Sequence, residues 1–174
     1  MNTKHNAITR LIHWLTALLV ITAFTIGPED IDEMENPNLD WGLQAHETLG
    51  LLIFGLTIVR IVWIFFTQKP IDVSMPRTMQ IASKAVQGAL YLLLLSIPLT
   101  AVLGTWLEGD SLSLFGNATI VSPFATNENL GELLLDIHPV LADILIWLAG
   151  THAAAGLFHH YILKDDVLKS MSPR

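Results

Sequence analysis

Four apolar stretches, each long enough to cross a lipid bilayer, constrain this chain more than any other feature of its sequence. They run from about Ile8 to Ile26, Ala45 to Phe66, Met79 to Gly104 and Leu133 to Leu163. A hydrocarbon core about 30 Å thick takes roughly 20 apolar helical residues to span. Lipid offers backbone groups no hydrogen-bond partner, and an α-helix satisfies them within one segment. The expected architecture is therefore all-α, a four-helix transmembrane bundle forming one domain over residues 1–174. Pro98 falls inside the third stretch as an expected kink, which neighbouring helices in a membrane can accommodate. The fourth stretch exceeds a bare span, so it should tilt or project beyond the bilayer.

The charges set the orientation. All 9 Lys and Arg residues fall at one end of such a bundle: Lys4, Arg10, Arg60, Lys69, Arg77, Lys84, Lys164, Lys169 and Arg174. The connections at the other end hold carboxylates instead, among them Glu29, Asp30, Asp32, Glu33, Glu35, Asp40, Glu108, Asp110 and Glu128. Basic loops stay on the cytoplasmic side, which puts both termini there. Lys4, His5 and Arg10 ahead of an apolar run also suit the start of a cleaved secretion signal. No small-x-small site precedes Pro28, however, and His13-Trp14 interrupts the run, so the block reads as a retained span.

Ionisable side chains inside a membrane are costly and mark function by default. Four histidines fall within the expected spans: His13, His46, His138 and His152. His138 and His152 are 14 residues apart, about 21 Å and nearly four turns, so they share one helix face at different depths. His46 opens the second span level with His138 near the outer surface, and His13 lies level with His152 near the cytoplasm. Two imidazoles in each of two layers, on separate helices, is the pattern that holds two b-type haems. The chain has no cysteine, which removes thiolate ligation, iron–sulfur clusters held by Cys and covalent haem attachment through C-x-x-C-H. Interhelical hydrogen bonding is the alternative for one intramembrane histidine, but four matched in depth favour ligation. Zinc fits poorly, because it takes four ligands and each layer offers two.

Arg60 lies 14 residues after His46, on the same face but at the inner level. It is placed either to pair with a haem propionate or to extend its charge to the interface from a helix end. Gly50 and Gly55, and the run Ala153 to Gly156, leave room for a flat ring or for close helix packing. Asp143, inside the fourth span, is either a hydrogen-bond partner within the bundle or part of a proton route. His159 follows His152 by two turns on the same face, where an imidazole could exchange a proton with a quinone carbonyl. His160 and Tyr161 beside it suit interfacial anchoring.

Three segments carry a resemblance: R-L-I-H-W-L at 10–15, A-H-E-T-L-G at 45–50, and the stretch from His138 to Tyr161, which contains H-A-A-A-G-L-F-H-H-Y. With the four-span layout they make the chain similar, over essentially its whole length, to the bacterial cytochrome b561 family of quinone-linked membrane cytochromes. The resemblance implies an inner-membrane protein with two non-covalent haems b, held by His13 with His152 and by His46 with His138. It also implies that His159 contacts ubiquinone, and that the activity is transfer of electrons from superoxide outside to the ubiquinone pool. The acidic outer loops suit a different donor, a basic periplasmic redox protein, in which case the chain would be an electron-transfer subunit.

Overall fold

The computed structural model describes residues 5–27, 41–67, 76–115 and 118–172. The acidic loop at 28–40, most of the loop after the second span, and Lys4, Lys69 and Arg174 lie outside the described residues. Four long helices, α1 (Ala7–Ile26), α2 (Trp41–Phe66), α3 (Arg77–Glu108) and α4 (Glu128–Phe158), make up most of the fold. Each is long and apolar enough to cross a membrane. A π-helical turn, His159–Leu163, continues α4, and a short helix α5 (Val167–Met171) follows it. Between α3 and α4 the strands β1 (Leu112–Leu114) and β2 (Ala118–Ile120) pair antiparallel, with Leu112 opposite Ile120.

Local chemistry sets the helix ends. The Asn6 side chain caps α1 by accepting the Thr9 N–H at 2.7 Å. Gly109 closes α3 at φ +94°, a left-handed conformation that favours glycine, and its N–H returns to the Thr105 and Trp106 carbonyls. Asn127 caps α4, and Glu128 in the first turn complements the positive end of the helix dipole. The membrane-facing surface is apolar, as lipid requires: Phe65, Phe66 and Trp147 are 82%, 80% and 78% exposed.

The helices form two close pairs, α1 with α2 and α3 with α4, joined mainly through α2 and α3. Their common core is Ala23, Ile53, Leu93, Leu94, Ile97 and Leu145. Hydrocarbon is no less apolar than these side chains, so close packing rather than escape from water holds the pairs together. The tightest approach joins α3 and α4 at two glycines. A Cβ on Gly104 would lie 2.8 Å from Leu135 Cγ, and one on Gly131 would lie 2.9 Å from the Glu108 backbone nitrogen. Thr16 and Thr57 are buried but satisfied, each hydroxyl donating to the carbonyl four residues back.

Replacing Gly131 with Val should force α3 and α4 apart and cost about 1–3 kcal/mol. A lower thermal midpoint for the detergent-solubilised variant is the expected result; an unchanged midpoint would contradict this packing.

Candidate functional site: paired imidazoles in two layers

Near the outer surface, His46 of α2 faces His138 of α4 with ring centres 6.0 Å apart. Near the cytoplasm, His13 of α1 faces His152 of α4 at 6.4 Å. The ring planes cross at 77° and 75°. All four side chains are partly buried. Both pairs reach across the division between the helix pairs, where α4 has no substantial backbone contact with α1 or α2.

The outer rings are oriented from behind. His46 Nδ1–H donates to the Ala23 carbonyl at 2.9 Å, and His138 Nδ1–H donates to the Ile97 carbonyl at 2.9 Å. Ala23 lies in the last turn of α1, where the carbonyls lack helical partners, so His46 satisfies an orphan. Ile97 immediately precedes Pro98, the expected kink of α3, and its carbonyl also accepts the Thr100 hydroxyl at 2.8 Å. A ring whose Nδ1 carries the hydrogen keeps the Nε2 lone pair for a ligand bond. Gly27 lets His46 approach, since a Cβ there would lie 3.3 Å from the ring.

This arrangement fits a haem. An imidazole nitrogen binds a metal at about 2.0 Å, so two rings on opposite sides of one iron have centres about 6 Å apart. Among the described residues no three His, Asp or Glu side chains converge on a point. Pairs suit an iron that brings its own four equatorial nitrogens rather than a bare ion. Gly50 and Gly55 of α2 have nothing within 4 Å of the place a Cβ would occupy, leaving space along that helix for a flat ring.

The inner end gathers cationic and titratable groups. Arg60 lies over the Tyr91 ring, 5.4 Å from its centre, and its Nε is buried without a hydrogen-bond partner among the described residues. Burial, then the Arg60 charge, hold the His5 ring below its ordinary pKa. His159 Nδ1 lies 2.6 Å from Asp165 Oδ2. His160 packs its ring against Tyr161 at 4.8 Å, and its Nδ1 is buried without a partner. Asp143 is exposed on α4. Its carboxylate has no hydrogen bond or ion pair to a described residue.

Sequence reasoning missed Asp165, whose one signal was a Lys-Asp-Asp run just beyond the aromatic end of α4. It also missed the outer hairpin. Glu47, next to His46, accepts the Ser113 N–H at 2.5 Å, and the Thr48 hydroxyl accepts the Phe115 N–H at 3.1 Å. These two bonds tie the hairpin to the outer end of α2, beside the outer imidazole pair.

The profile of the prokaryotic cytochrome b561 family matches residues 4–174. The chain belongs to that family. A probable superoxide oxidase CybB of Yersinia pestis is 30% identical, covering 100% of this chain and 98% of its own length. The cytochrome b561 homolog 1 of Escherichia coli K12 is 32% identical over 94% of this chain and 93% of its own. A cytochrome b562 of Cereibacter sphaeroides is 31% identical over 99% of both chains. Family and spans together make this a multi-pass electron-transfer protein of the bacterial inner membrane. Haem binding is the expectation for members of this family.

Replacing Glu47 with Ala should strip the hairpin of its acceptor on α2, at a cost of about 1–3 kcal/mol. Amide hydrogen exchange at Ser113 should then quicken by about tenfold or more. An unchanged rate would show that the hairpin is held by other means.

Proposed function

We propose that this chain carries two b haems and moves electrons from superoxide at the outer face to ubiquinone in the membrane. The observation that carries the haem assignment is the pair of imidazole layers at ring separations of 6.0 and 6.4 Å. In this reading His46 and His138 hold the outer haem, and His13 and His152 hold the inner one. Held by two imidazoles, each haem would supply single-electron transfer rather than oxygen binding. Arg60, with its unpartnered buried Nε, binds an inner propionate, where guanidinium and carboxylate match in geometry. His159 receives the ubiquinone head group at the inner end.

The printed name of the Yersinia pestis relative supports superoxide as donor. Two superoxide anions each lose one electron and leave as dioxygen. One ubiquinone takes up both electrons and two protons. His138 and His152 are about 21 Å apart along α4, which sets the spacing at which the two layers would hold their haems.

A second reading, an electron-transfer subunit serving a periplasmic protein, draws on the exposed carboxylates of the outer end. Asp110, Glu128, Glu132 and Asp136 are all exposed there. They would attract a basic partner, with a rate that falls as salt rises.

Replacing His46 or His138 should remove one haem and spare the other, and replacing His13 or His152 should do the reverse. An optical spectrum showing both haems in any of these variants would refute the pairing. Stopped-flow mixing separates the donors. Superoxide should reduce the haems faster than it dismutates, and reduction no faster than dismutation would leave the periplasmic partner as the donor.

A further inference from the structure

The chain turns back on itself where α4 ends. The turn from His159 to Leu163 is π-helical, a conformation frequent at functional sites. Lys164 follows at φ 53°, and its N–H returns to the His159 carbonyl. The Asp165 N–H also reaches that carbonyl, at 3.2 Å. This reversal sets the Asp165 carboxylate against the ring of His159. Its Oδ2 meets Nδ1 at 2.6 Å, while Oδ1 accepts the Val167 N–H at 3.0 Å and starts α5. The two side chains are 14% and 21% exposed, so water competes little for the bond.

Lys169 donates to Asp166 at 3.0 Å rather than to Asp165. Burial alone would raise the Asp165 carboxyl. The His159 ring, the Val167 N–H and the Lys169 charge outweigh it and hold its pKa below the usual carboxylate value. An ionised carboxylate has no hydrogen to give, so His159 Nδ1 carries one, and Nε2 can donate to a carbonyl only when it carries a second, a charge that the carboxylate offsets.

The segment that follows Asp165 is tied to the start of the chain's first helix. The His5 N–H reaches the Ser170 carbonyl at 3.1 Å, Arg10 Nη1 the Ser172 carbonyl at 2.6 Å, and Trp14 Nε1 the Met171 carbonyl at 2.8 Å. Three bonds thus pin α5 across the inner end of the helix that carries His13.

We propose that Asp165 is a positioning residue of the quinone site: its carboxylate fixes the His159 ring with Nε2 toward the quinone carbonyl and offsets positive charge on that ring. This rests on the reading of His159 as the quinone contact. A hydrogen-bond donor backed by a carboxylate stabilises negative charge gathering on a carbonyl oxygen better than a neutral ring does. Asn at 165 separates this role from a purely structural one. Its oxygen still caps the Val167 N–H, but its neutral amide presents a hydrogen to Nδ1 and offsets no charge, so the doubly protonated, donating form of the ring loses its support.

The test uses the purified full chain with its haems reduced by dithionite, mixed rapidly with ubiquinone-1, so that no assumption about the physiological donor enters. If wild type is not reoxidised, or if His159→Gln is as fast as wild type, the quinone-site reading itself fails. If His159→Gln is slow, Asp165→Asn should lower the saturated reoxidation rate by about 10–100-fold, the usual loss when an imidazole loses its orienting partner. The half-saturating quinone concentration and the haem spectrum should stay near wild type, and Asp165→Glu should recover most of the rate. An Asp165→Asn rate within about twofold of wild type, a loss confined to half-saturation, or an equal loss in Asp165→Glu would overturn the proposal.

Discussion

A neutral imidazole in hydrocarbon is tolerable only when its nitrogens have somewhere to go, and the outer layer of this bundle gives two rings a backbone partner each. In the outer layer one nitrogen of each ring is satisfied by a backbone carbonyl of a neighbouring helix, Ala23 for His46 and Ile97 for His138. The Ala23 carbonyl lies in the last turn of α1, short of helical partners, and the Ile97 carbonyl within α3 accepts the ring as well as the Thr100 hydroxyl. The second nitrogen of each ring is aimed across the division between helix pairs. α3 and α4 lock at Gly104 and Gly131, while among the described residues α4 makes little backbone contact with α1 or α2. Close packing on one side of α4 and separation on the other are two halves of one arrangement.

The two ends of the bundle differ in how they are finished. Outside, a two-stranded hairpin is held on α2 by Glu47 and Thr48, among exposed carboxylates. Inside, α5 lies against α1 and returns Asp165 to His159, close to where Arg60 and His5 lie. The outer end is negative and the inner end carries the cations. That polarity orients the chain in the membrane, and it also sets a different chemistry at each end of any electron path.

The spans and histidine layers were legible because both follow from regular geometry. Lipid thickness dictates helix length, and 14 residues make nearly four turns, so depth and face can be counted from the sequence. The helix starts were less legible: α2 begins at Trp41 and α4 at Glu128, each ahead of its apolar run, and at α4 the Asn127 cap carries the helix past its hydrophobic stretch. The hairpin at 112–120 lies in a polar connection with too few alternating residues to announce a strand. Asp165 was invisible for a different reason. Its contact with His159 depends on a π-helical turn and one left-handed residue, Lys164, and neither leaves a periodic trace. Gly27 likewise reads as a helix stop, although it also gives the His46 ring room.

The claim on which everything else depends is that each imidazole pair grips its own iron porphyrin. Haem extracted from purified protein of known concentration, quantified as its pyridine complex, tests it directly. Two haems b per chain is the predicted result. A ratio of one, or none, would contradict the account.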